Sequence, residues 1–142
     1  MKHSYTPENI KARTAPQLKN LLENALRLGA EDVTTMVQEE MALRLYGDEL
    51  PAGVSAKLDA TLQEHERRQA EEAQKKTFKD TRTRLAIRRT GLKKAVETIV
   101  QKGDFPTLPF ALTFEATILE HPDLFSADAV ETARKRQEVA ES

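Results

Sequence analysis

The chain has no cysteine and no tryptophan, only 5% aromatic residues, and five glycines in 142 residues. Without cysteine it can build neither a disulfide framework nor a thiolate metal site. The glycines stand singly, so no glycine-rich loop is available to cradle a nucleotide phosphate. Few aromatics leave little surface for stacking bases or flat ligands. No apolar run approaches the roughly 18–20 residues that span a bilayer, and the opening MKHSYTPENIK lacks the apolar stretch of a signal peptide. A cytoplasmic location, away from any membrane, is the expectation.

What the chain does have is charge. Charged residues make up 32% and apolar residues 39%, a balance tilted toward a solvated helical protein rather than a pocketed enzyme. The net charge is only −1, but its distribution is uneven. Residues 73–104 hold ten Lys and Arg against three acids, a formal +7, and the flanking segments carry −4 each. A concentrated positive field draws an anionic partner, and nucleic acid is the commonest one.

Helix signals run the length of the sequence. Thr6-Pro7-Glu8 reads as an N-cap, a proline at the first helical position and an acid near the positive helix end. Thr14 and Gln17 have the spacing of a capping box. Leu18, Leu21, Leu22, Ala25 and Leu28 then recur at helical spacing up to Gly29, a left-handed stop. Val33, Met36, Val37, Met41 and Leu45 form the stripe of a second helix ending at Gly47. Two such helices joined by about two residues predict an αα-hairpin.

Residues 47–54 form a loop, and Ser55 is expected to cap a long helix starting at Ala56. From Gln63 to Lys76 that helix is almost wholly polar, which predicts an exposed rod with same-face ion pairs such as Glu72 to Lys76. Helical periodicity resumes with Leu85, Leu92, Val96, Ile99 and Val100. A straight helix would put Arg89 in that apolar arc, so a bend at Thr90-Gly91 is expected. Lys102-Gly103-Asp104 closes the segment, and Phe105 and Leu108 are expected to pack on the core across a proline-broken stretch. A helix over Phe110–Glu120 and a last one capped by Ser126 complete the chain.

The fold class is therefore all-α, with about six helices. Residues 1–47 form an N-terminal hairpin module, 48–80 a loop and an exposed charged connecting helix, and 81–142 a C-terminal module carrying the basic patch. Nothing converges for catalysis. Glu39-Glu40, Glu71-Glu72 and Asp48-Glu49 are paired acids with no sign of converging in a pocket, since paired neighbours on a helix point in different directions, and the serines lack a nucleophile elbow. His3, His65 and His121 lack metal-ligand spacing. No catalytic residue, metal or cofactor is expected.

The candidate phosphate contacts are Arg82, Arg84, Arg88, Arg89, Lys93 and Lys94, with threonines 77, 81, 83 and 90 as possible hydroxyl donors. A helix-turn-helix centred on Gly91 is disfavoured: Ile87 stands where a small residue is usual, and Glu97 where an apolar one is. The expected function is non-enzymatic binding of nucleic acid, DNA in particular, through its backbone in a regulatory or accessory role. The competing expectation is a helical adaptor, or a phage- or plasmid-type inhibitor, whose basic face docks an acidic protein. A protein partner for the N-terminal module, through the adaptable Met36 and Met41, is a further expectation.

Overall fold

A computed structural model of the protein describes residues 5–102 and 108–141. The expectation for Phe105, the closing residues Gly103 and Asp104, and His3 fall outside the described residues. All regular structure among them is helical, with no strand. There are eight α-helices rather than about six, because a short first helix counts separately and Gly91 divides the basic segment. The chain forms two compact units, Met1–Ala56 and Lys57–Ser142.

The first unit is built on the caps read from the sequence. In α1 (Pro7–Lys11), Thr6 Oγ1 accepts from the Asn9 N–H at 3.2 Å. The capping box of α2 (Ala15–Leu28) is complete: Thr14 Oγ1 accepts from the Gln17 N–H at 3.3 Å, and Gln17 Oε1 from the Thr14 N–H at 2.8 Å. Gly29 ends α2 at φ 70°, and α3 (Glu31–Tyr46) packs back on α2. Ile10, Leu18, Leu21 and Val37 form the core, with Leu22, Val33, Met36 and Met41 partly buried against it. The ends of both expected stripes stay outside, with Leu28 75% and Leu45 61% exposed. Arg44 ties α1 to α3: it pairs with Glu40 at 2.7 Å and donates to the carbonyls of Lys11 and Arg13.

The long helix α4 (Ala52–Glu72) starts directly after Pro51, not at Ala56, so Ser55 is a buried interior residue and not the cap. Its charged half also departs from expectation. Leu58, Thr61, Leu62, His65, Glu66 and Ala70 are buried, so α4 is an exposed rod on one side only. The anticipated Glu72–Lys76 pair is absent because the helix ends at Glu72. Arg67 and Arg68 pair with Glu64 instead, at 2.6 and 2.8 Å.

The bend falls where it was expected. Helix α5 (Thr81–Thr90) and α6 (Leu92–Lys102) are separated by Gly91 alone. The core-facing residues explain why the segment bends. On α5 they are Thr83 and Ile87; on α6 they are Leu92, Ala95, Val96, Ile99 and Val100. At about 100° per residue, a straight helix would put these two sets about 170° apart, on opposite sides. The bend brings both to one core. Gly91 adopts φ 91°, ψ 158°, a region essentially closed to residues with a Cβ. Gly91→Ala should therefore cost about 1–3 kcal/mol, seen as a lowered denaturation midpoint with little change of helicity.

Leu85, expected to open the apolar stripe, is instead 45% exposed, and Thr83 takes the inward position. Beyond the core residue Leu108, Phe110–Leu112 forms a 3₁₀ turn rather than the first turn of a helix. Helix α7 (Phe114–Glu120) is then capped by Thr113, whose Oγ1 accepts from the Ala116 N–H at 3.3 Å. Helix α8 (Ala127–Glu141) is capped by Ser126 as expected, its Oγ accepting from the Ala129 N–H at 3.2 Å. The small Ala129 and Ala133 are fully buried, letting α8 lie close to α6 and α7 around Phe114 and Ile118.

Candidate nucleic-acid interface

The basic segment is held to α4 by a buried polar network. Glu66, 4% exposed, receives both nitrogens of the Arg84 fork, Nε at 2.7 Å and Nη2 at 2.6 Å. Its Oε2 also accepts from the Asp80 N–H at 2.8 Å. Asp80 in turn caps α5, accepting from the Thr83 N–H at 3.0 Å and the Thr83 hydroxyl at 2.8 Å. His65 Nε2 lies 3.2 Å from the second Asp80 oxygen. Burial pushes the Glu66 carboxyl up, but the Arg84 fork and the Asp80 N–H outweigh it and hold the group below the ordinary carboxylate range. Both Glu66 oxygens are thereby met by donors, which is the condition for burying such a group at all.

This network sorts the six candidate cations. Arg84 is turned inward and its fork is committed to Glu66. Lys93, in the first turn of α6, is half-buried and engaged in a contact within the fold. Arg82, Arg88, Arg89 and Lys94 are exposed, and among the described residues none has a carboxylate partner. Six other arginines do have one: Arg44, Arg67, Arg68, Arg84, Arg134 and Arg136. Helical geometry fans Arg82, Arg89 and Arg88 over about 120° of the outer face of α5, with the exposed Leu85 between them. Lys93 and Lys94 add positive charge at the N-terminal end of α6, where the backbone N–H groups are already positive and no acid offsets them.

The threonines divide in the same way. Thr83 serves Asp80, and the Thr90 hydroxyl donates to the Ala86 carbonyl at 2.8 Å, while Thr77 and Thr81 are exposed. The connection between α5 and α6 is one residue, shorter than the three- to four-residue turn of a helix-turn-helix. Glu97, the other obstacle to that motif, accepts from the Ser126 N–H and so holds the start of α8. In the first unit, Met36 lines a groove of about 150 Å³ with Ile10 and Leu43, rimmed by Glu39 and Glu40. That is smaller than the usual ligand pocket.

Sequence reasoning missed Glu66 and His65. The signal for them is positional: Val54, Leu58, Thr61, Leu62, His65 and Ala70 continue one helical stripe through a polar row. No helix of the described residues is long and apolar enough to cross a membrane. Comparison with protein-family models, curated proteins and solved structures returns no match, so function rests on geometry alone.

Proposed function

We propose that the protein is a non-enzymatic nucleic-acid-binding protein that grips the phosphate backbone of duplex DNA with Arg82, Arg88, Arg89 and Lys94, in a regulatory or accessory role. The observation that supports this reading is the unpaired state of those four exposed cations in a protein that pairs most of its arginines. Holding like charges together without neutralising acids is unfavourable in the free protein, and an anionic partner relieves that repulsion. Lys93 stands beside them and Arg84 positions the helix. The scarcity of aromatic residues and the single-residue connection at Gly91 favour phosphates over bases as the recognised groups.

The test is fluorescence anisotropy on a random-sequence duplex across a salt series. Four to five phosphate contacts predict a log–log slope of about −4. An absence of binding at low salt would defeat the reading. It would leave the adaptor, which has its own supporting observation: Leu85, exposed within the cationic arc, suits the apolar side of an acidic amphipathic partner.

A further inference from the structure

The bend at Gly91 opens a cleft of about 430 Å³ between α5 and α6, within the size range of small-molecule sites. Its walls near the bend are small or apolar: Ala86 and Thr90 on α5, Ala95 and Ile99 on α6. Arg82 and Lys102 line it from the far ends of the two helices, about 12 Å from Thr90 and 10 Å from Ala95 at the helical rise. Both are exposed, and neither has an ion-pair partner among the described residues. The one acid in the lining is Asp80, whose oxygens are taken by Thr83 and His65. The cleft thus has a small apolar patch of Ala86, Ala95 and Ile99 beside a polar wall of threonines and His65. Two cations stand against one carboxylate in its lining.

Those properties select a ligand class. A metal cation is disfavoured by two positive side chains and an acid already in use. A nucleobase would find no Phe, Tyr or Trp in the lining, and the one ring there, His65, is buried against Asp80. We propose that this cleft binds a small elongated organic anion, an apolar body about 10 Å long with one carboxylate or phosphate head held between Arg82 and Lys102. The inference goes beyond nucleic-acid binding and does not depend on it.

The experiment is an NMR titration of the full chain with sodium n-octanoate, using n-octanol and inorganic phosphate as half-ligands and octyl phosphate to compare the two heads. Saturable shifts of the Ala86, Ala95 and Ile99 amides are expected with octanoate or octyl phosphate. Octanol and inorganic phosphate should each bind at least about tenfold more weakly, each lacking one half of the recognition. Lys102→Ala should weaken octanoate about tenfold, and Ala86→Leu should block it by filling the cleft. Lys102 is exposed, so its replacement tests the site without disturbing the packing that Ala86→Leu alters. The proposal is overturned if octanol binds as well as octanoate, if the shifts do not saturate, or if Lys102→Ala leaves affinity unchanged. None of these readouts involves nucleic acid, so failure here is distinct from failure of the duplex-binding reading.

Discussion

Glu66→Ala is expected to destabilise the second unit by about 3–5 kcal/mol, the usual cost of stripping one partner from a buried ion pair. The loss has two parts. Arg84, already drawn inward, is left without its carboxylate, and the Asp80 N–H loses its acceptor. Replacing both members, Glu66→Leu with Arg84→Met, should recover most of the stability because a buried pair is often no better than apolar packing. Recovery should fall short by about 1–3 kcal/mol, since the Asp80 N–H stays unsatisfied. Denaturant titration followed by far-UV circular dichroism measures these changes. Tyrosine fluorescence is the control, because Tyr5 and Tyr46 both lie in the first unit. A loss below about 1 kcal/mol for Glu66→Ala would contradict the structural role given to the pair.

The same carboxyl sets a pH dependence. Glu66 has its folded pKa below the ordinary 4.5, and Glu64 is lowered to about 2 by its hydrogen bonds to Arg67 and Arg68. A depressed folded pKa means the contribution is fully present above the unfolded value and is lost as pH falls through the folded one. The denaturation midpoint should thus hold above about pH 4.5 and fall below it. Glu66→Gln should flatten that acid limb.

Reversing the four exposed cations, Arg82, Arg88, Arg89 and Lys94, to Glu should abolish duplex binding, with a loss of at least about a thousandfold at low salt. The protein should remain helical, because none of the four is buried or paired. Net charge alone would also weaken binding, so a matched control is needed. Reversing Lys11, Lys19, Arg27 and Lys135, all exposed and outside the basic segment, takes the chain from −1 to the same −9. Retention of most affinity in the control and its loss in the patch variant would locate the interface. Equal losses would show that the field of the whole molecule, not the α5 face, governs association.

Local signals were legible in the sequence, and the tertiary ones were not. The Thr14–Gln17 box, the Gly29 stop, the Gly91 bend and the Ser126 cap each depend on residues a few positions apart. The Glu66–Arg84 pair spans 18 residues and joins two helices, so neither local spacing nor hydrophobicity points to it. The stripe assigned to Leu85 failed for a related reason. A leucine is a better core residue than a threonine in isolation, but Asp80 satisfies the Thr83 hydroxyl and Glu66 holds Arg84 on the same side. Two polar contacts thus fixed the rotation of α5, and Leu85 was left outside. The candidate cations were likewise visible as a group, but which of them are available was decided by partners contributed from α4.

The opposed faces of α5 and α6 have a consequence for insertions and deletions in this stretch. Removing two residues near Gly91 would turn α6 by about 200° relative to α5. That rotation would bring the inward residues of both halves onto a single line. The segment would then favour one straight basic helix, with the cleft erased. A one-residue change would leave the two halves about 70–90° out of register and satisfy neither arrangement. Length at this point, together with the glycine at 91, keeps the inward faces of the two halves turned to one core.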